Sequence, residues 1–277
     1  MAKILEGKSC ARKIEEQIKK EVQLLGIKPG LAAIIVGNNP ASKIYVSRKI
    51  AACTECGFFT KTIELSDNCS EQKLLTVIQE LNADEKIHGI LLQLPLPKHL
   101  NEQHIIEKID INKDVDGFHP LNRGLLVLGK PVFTACTPKG ILELLNFYNI
   151  TIAGKNVVIV GRSITVGKPL ASLLLNADAT VTICHSKTKS LAEHTKKADI
   201  LVVATGRVNT ITPDMITRKT IVIDVGINRI NGKITGDVSD EAKQKSAAYT
   251  PVPGGIGPMT IAMLLQNTLL AAKRNDE

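Results

Sequence analysis

In the stretch ASKIYVSRKIAA, Tyr45 and Lys49 stand four residues apart. On a helix that spacing puts a phenol and an amine on one face, suited to holding a ring and moving a proton. The plain alternative is an amphipathic helix with an exposed lysine. Gln93 closes the apolar run HGILLQL, where a parallel sheet presents side chains to a ligand. Asp114 and Asp116 sit in NKDVDGFHP beside Gly117, either as turn-formers or as carboxylates facing a substrate. His119 reads as loop structure rather than as a general base. Thr137, just before Pro138, reads as a helix cap.

A second group of residues is built around glycine. In VVIVGRSITVGKPL a buried strand ends at Gly161 and a helix starts near Val166, in a G-x-S-x-x-x-G pattern. Free backbone N–H groups at such a helix start favour a phosphate, although an ordinary strand–helix turn has the same look. The next strand ends CHSKTKS, with no acid to hold the ribose hydroxyls of NAD. Arg162, Ser186 and Lys187 suit a 2′-phosphate instead, so the cofactor expected is NADP. In YTPVPGGIGPMT three glycines and three prolines make a stiff, closely approachable backbone, either lining a ligand or linking domains. Short-chain dehydrogenases also carry Y-x-x-x-K, but after their glycine loop. Here Lys49 precedes Gly161 by more than a hundred residues, and that analogy fails.

Strands and helices alternate around these groups. Residues 11–25 place Ile14, Ile18 and Val22 on one helical face. LAAIIVG (31–37), FFTKTIEL (58–65) and HGILLQL (88–94) read as strands, with helices from Pro40 to about Cys56 and over 71–82. A second set of strands, 155–161, 179–185, 198–206 and 220–227, follows a helix from Pro138 and includes another at 166–176. The fold class expected is α/β with two domains: an N-terminal α/β layer sandwich, and a Rossmann-type doubly wound domain with a cleft between them. The expected boundaries are 1–138 and 139–258. A final helix over 259–277, with Pro258 at its start, is expected to pack back on the first domain.

Composition narrows the partners. Of 277 residues, 44% are hydrophobic, enough for a sizeable core, whereas aromatics are 3% and Trp is absent. That argues against stacking platforms for nucleic acid. The net charge of +8 is spread without a long basic run, so no nucleic-acid arm is expected. No apolar stretch is long enough to span a bilayer, and MAKILEGKSC lacks the charged, then apolar, then small pattern expected of a signal peptide. A cytoplasmic protein with six reduced cysteines is expected. Cys53 and Cys56 form C-x-x-C, but without a second pair or a nearby His they read as structural, and no metal site is expected.

Taken in order, VGNNPASKIYVSRK, GILLQLPLP, KDVDGFHP, CTPKG, GRSITVGKP, TVTICHSKT and TPVPGGIGPMT closely resemble the bifunctional methylenetetrahydrofolate dehydrogenase/methenyltetrahydrofolate cyclohydrolase family. The likeness covers nearly the whole chain. Thr165 departs from it, standing where the family usually carries Ile. The resemblance implies oxidation of 5,10-methylenetetrahydrofolate by NADP⁺ to the methenyl cation, then hydrolysis to 10-formyltetrahydrofolate. It implies Lys49 as the central catalytic residue, Gln93 as its assistant, Tyr45 near the aminobenzoate portion and Asp116 on the pterin. Pro253, Gly254, Gly255, Ile256 and Gly257 would also touch the folate. Gly161, Arg162, Ser163, Ser186 and Ile227 would border the NADP. It further implies a homodimer, one-carbon metabolism and a link to purine biosynthesis, with no nucleic-acid or membrane partner. Two other readings of the same residues stay open: a different two-domain NADP dehydrogenase acting on a small carbonyl or amino-acid substrate, and a non-catalytic NADP- or folate-binding module.

Overall fold

The structure, a computed structural model, describes residues 2–26, 28–230 and 232–275. In chain order the elements are β1 (Lys3–Ile4), α1 (Gly7–Leu25), β2 (Gly30–Val36), α2 (Pro40–Glu55), β3 (Phe59–Leu65), α3 (Glu71–Ala83), β4 (Gly89–Leu92), α4 (Glu102–Ile106), α5 (Pro120–Val127), α6 (Cys136–Phe147), β5 (Asn156–Val160), α7 (Gly167–Asn176), β6 (Thr180–Cys184), α8 (Leu191–Thr195), β7 (Ile200–Val203), β8 (Ile221–Asp224), β9 (Asn228–Ile230), β10 (Lys233–Thr235), α9 (Asp240–Lys245), β11 (Ala248–Tyr249) and α10 (Ile256–Asn275). They form two compact units. One comprises Lys13–Cys136 and the segment from Ile261 onward; the other comprises the chain up to Arg12 together with Thr137–Thr260.

The first unit is built on a three-stranded parallel sheet in the order β3-β2-β4. Every residue of β2 is buried, as expected of a strand covered on both faces. Leu74, Val77, Ile78 and Leu81 recur at helical spacing on α3 and pack with Ala32, Ile34 and Val36 in one core. Ser70 caps α3, its hydroxyl accepting from the Lys73 amide at 3.2 Å. The segment of α10 from Ile261 belongs to this unit. Residues 276 and 277 of the expected C-terminal segment lie outside the described residues.

The second unit carries a six-stranded, all-parallel sheet in the order β1-β11-β8-β7-β5-β6. From β5 the chain winds outward to β6, then crosses back to β7 on the other side. The order therefore reverses beside β5, the place where doubly wound sheets hold ligands. Val158, Val160, Leu201, Val203 and Val222 fill its core. One boundary differs from the expectation, which puts residues 1–12 with the first domain. Lys3 and Ile4 pair with Ala248 and Tyr249 at the edge of this sheet. A two-residue strand carries no periodicity, so its long-range pairing leaves no trace in the sequence pattern. Among the described residues no helix is long and apolar enough to cross a membrane.

Candidate active site

Lys49 owes its position to the start of α2. Asn39 caps that helix, its side chain accepting from the amides of Ala41 and Ser42 at 2.9 and 3.2 Å, with Pro40 in the first turn. One turn apart on α2, Tyr45 and Lys49 are both half-buried. The Lys49 ammonium donates to Gln93 Oε1 at 3.3 Å. Gln93 follows β4 directly, with its backbone amide donating to Ile34 O at 3.0 Å and its Nε2 to Leu94 O at 2.7 Å. The second bond turns the carboxamide so that its oxygen faces the amine. A neutral amide partner holds the lysine without fixing its charge.

Asp116 lies in the loop after β4, and two neighbours shape that loop. Asp114 is buried and accepts from the amides of Phe118 and His119 and from Asn122 Nδ2, at 3.0, 2.8 and 2.8 Å. Gly117 has φ +69°, and a Cβ there would sit 2.5 Å from Ala135 N, so the turn that aims Asp116 accepts only glycine. Burial pushes the Asp116 carboxyl above its usual range, opposed by the charge of Lys49 and by a contact from Cys136 Sγ at 3.7 Å. Asp114 is raised to about 6, also by burial, with its hydrogen-bond donors pulling the other way. His119 caps α5, its Nδ1 accepting from the Leu121 amide at 3.1 Å. Thr137 does not cap α6: that helix already includes Cys136, and the Thr137 hydroxyl meets Thr260 Oγ1 at 2.9 Å. Burial raises the thiols of Cys53 and Cys56 to about 12 and about 11, which suits inert structural cysteines.

In the other unit the nucleotide candidates gather at one edge of the sheet. β5 and β6 end in register, Val160 opposite Cys184, and Gly161 N donates to Cys184 O at 2.9 Å. The loop with Gly161, Arg162 and Ser163 and the turn with Ser186 and Lys187 therefore leave the sheet side by side. Gly161 has φ +129°, and a Cβ there would lie 2.3 Å from Ala204 O at the end of β7. The backbones of Gly161 and Ala204 pack so closely beside β5 that residue 161 must be glycine. Arg162, Ser186 and Lys187 lie on the turns, and Ile227 is exposed just past β8.

Ser163 behaves differently from the expectation of free amides at the α7 start. Its hydroxyl accepts from Val166 N and Gly167 N at 3.1 and 3.3 Å, and its carbonyl accepts from Lys168 N at 3.0 Å. The helix-start donors are spent inside the loop, and Ser163 closes it. The loop after β11 is similarly braced: Gly254 O accepts from Lys8 N at 3.0 Å, and Gly255 O lies 1.9 Å from where a Cβ on Gly7 would sit. Pro253 and Gly257 are exposed, whereas Gly255 and Ile256 are buried.

The catalytic-domain model of tetrahydrofolate dehydrogenase/cyclohydrolase matches residues 5–116, and the NAD(P)-binding-domain model of the same enzymes matches residues 135–276. The chain belongs to the tetrahydrofolate dehydrogenase/cyclohydrolase family. It is 54% identical to the Bifunctional protein FolD of Bacillus subtilis (strain 168), over 99% of this chain and 98% of that one. The crystal structure of the bifunctional FolD enzyme, methylenetetrahydrofolate dehydrogenase/cyclohydrolase, from Campylobacter jejuni superposes with a TM-score of 0.97 at 50% identity, covering 99% and 100% of the two chains. The Trypanosoma brucei enzyme, complexed with NADP cofactor and an inhibitor, has a TM-score of 0.96 at 38% identity, covering 100% of this chain and 99% of its own.

This family member has residues that fit NADP. No carboxylate stands on the turn after β6, where Ser186 and Lys187 lie beside the Arg162 loop, so that edge suits a phosphate. Sequence spacing does not single out Asn267. Three consecutive polar residues, Gln266, Asn267 and Thr268, interrupt the apolar run of α10, and that interruption is the available signal. Cys136 reads in the sequence only as a residue before a helix, because nothing local places a thiol against a carboxylate twenty residues away.

Proposed function

We infer that the protein is a bifunctional one-carbon folate enzyme. With NADP⁺ it oxidises 5,10-methylenetetrahydrofolate to 5,10-methenyltetrahydrofolate, and it then hydrolyses that cation to 10-formyltetrahydrofolate. The observation that carries this reading onto particular residues is the Lys49 amine, held by Gln93 Oε1 in the same unit as a buried Asp116. Lys49 is the central catalytic residue, Gln93 orients it, Tyr45 stacks near the aminobenzoate portion, and Asp116 holds the pterin. Pro253, Gly254, Gly255, Ile256 and Gly257 contact the folate. Arg162, Ser186 and Lys187 bind the 2′-phosphate of NADP, with Gly161, Ser163 and Ile227 bordering the cofactor.

NADP⁺ accepts the hydride, so the first step asks the protein for position rather than acid or base. The hydrolytic step asks for more. It needs a proton acceptor beside the bridging carbon, and the Lys49 amine, held by Gln93 Oε1, is that group. Water adds to the bridging carbon, and its proton passes to the Lys49 amine. The bond from that carbon to N5 then breaks, N5 is left protonated, and the formyl group stays on N10. One proton is released overall. The product is a formyl donor of the kind used in purine biosynthesis, and the enzyme works in the cytoplasm as a homodimer.

Lys49→Met should abolish hydrolysis of methenyltetrahydrofolate while the far-ultraviolet circular dichroism and NADP affinity stay as in the native protein. Full cyclohydrolase activity in that variant overturns the role of Lys49. Equal kcat/KM with NADP⁺ and NAD⁺ overturns the 2′-phosphate assignment.

A further inference from the structure

We propose that Asn267, on α10, is a positioning residue for the Asp116 carboxylate. Asn267 is fully buried, on a helix whose Met263, Leu264, Leu265 and Leu269 are buried too. A primary amide in such surroundings is costly unless its hydrogen bonds are made. They are made to the folate-side loops. Asn267 Nδ2 donates to Val115 O at 2.8 Å and to Thr134 O at 3.0 Å, and lies 3.8 Å from Cys136 Sγ. Val115 is the residue before Asp116, and Thr134 lies two residues before Cys136. The thiol in turn faces Val115 O at 3.4 Å and Asp116 Oδ1 at 3.7 Å. One carboxamide therefore ties together the two stretches of chain that bring a thiol against the carboxylate. The two N–H groups of an amide diverge at a fixed angle, so they set the spacing of the two carbonyls. No aliphatic side chain at this position supplies that constraint.

The proposal rests on the reading of Asp116 as the pterin-holding carboxylate, and the test separates the two. Asn267→Leu, Asp116→Asn and the double variant are compared by KM for methylenetetrahydrofolate, kcat of the dehydrogenase step, NADP affinity and thermal midpoint. Asn267→Leu is expected to raise the folate KM about 10-fold, with kcat changed much less and NADP affinity unchanged. Asp116→Asn alone raises the folate KM at least as far. In the double variant the folate KM matches that of Asp116→Asn, because Asn267 acts only through the carboxylate. Multiplied effects in the double variant overturn the proposal, as does an unchanged folate KM in Asn267→Leu while Asp116→Asn raises it. If Asp116→Asn leaves the folate KM unchanged, the reading of Asp116 fails and takes the proposal with it. Should Asn267→Leu not fold, Asn267→Ser, which keeps one hydroxyl donor in a smaller side chain, replaces it in the same cycle.

Discussion

Asp224, at the end of β8 in the nucleotide unit, is 1% exposed and saturated with partners. It accepts from the amides of Gly226, Asp237 and Val238 at 3.1, 2.9 and 3.2 Å and pairs with the Lys243 ammonium at 2.8 Å. Asp116, in the unit with the three-stranded sheet, is 8% exposed, and its hydrogen-bond partner among the described residues is a thiol at 3.7 Å. Asp114 stands between them, with three donors, all neutral. A carboxylate whose lone pairs are all used is a piece of scaffold. Asp224 pins the segment from Gly226 to Val238, and so presents Ile227 at the sheet edge. A carboxylate left short of donors keeps acceptor capacity for a ligand, and burial, only partly offset by the Lys49 charge and the Cys136 thiol, raises its pKa.

The same isosteric change in the three aspartates tests that ordering. The largest effect is expected from Asp224→Asn. It leaves the buried Lys243 charge without its counter-ion and turns an amide donor toward backbone donors. Loss of one partner of a buried pair costs about 3–5 kcal/mol, so urea unfolding should shift by that amount. A loss below about 1 kcal/mol would put this pair among the dispensable ones.

Asp114 gives the next effect, and it is legible in pH. The carboxyl is raised from 3.8 to about 6 on folding. Between those values the folded chain holds more of the proton than the unfolded chain does, so stability falls as pH rises through the window. The fall is about 3 kcal/mol, absent below the lower value and complete above the upper one. Urea midpoints measured from pH 4 to 7 should show this slope in the native protein and a shallower one in Asp114→Asn, because burial raises Asp116 as well. Equal slopes in both would mean that the three neutral donors compensate for burial completely.

Much of this arrangement is legible in the amino-acid sequence alone, and the rest is hidden for physical reasons. β2, β4, β5 and β7 are short continuous apolar runs, and α3 repeats at helical spacing, so the alternation of strand and helix is visible. The Tyr45–Lys49 pair is visible because four residues make about one helical turn. Gln93 and Gly161 are visible because they end buried strands. β1 and β11 have two residues each and are recognisable only by their pairing, β1 with β11 and β11 with β8. Ser163 illustrates a local ambiguity: a hydroxyl near a helix start reads the same whether it binds a phosphate or, as here, the loop's own amides. The Cys136–Asp116–Asn267 arrangement joins residues more than a hundred positions apart, beyond the reach of any spacing rule.

The smallest effect on stability is expected where the effect on function is largest. Asp116→Asn keeps the shape of the side chain and still offers an oxygen to the Cys136 thiol. It removes the cost of holding a charge out of water and also the attraction to Lys49, which act in opposite directions on the native state. The net change in unfolding free energy at neutral pH should stay within about 1 kcal/mol, because no buried cation or backbone amide is left without its partner. Thermal and urea midpoints close to those of the native protein, alongside a raised folate KM, would keep the two carboxylates in separate roles. A loss as large as that of Asp224→Asn would instead make Asp116 an anchor of the fold. Its shortage of donors would then have to be met by groups of the protein rather than by a pterin.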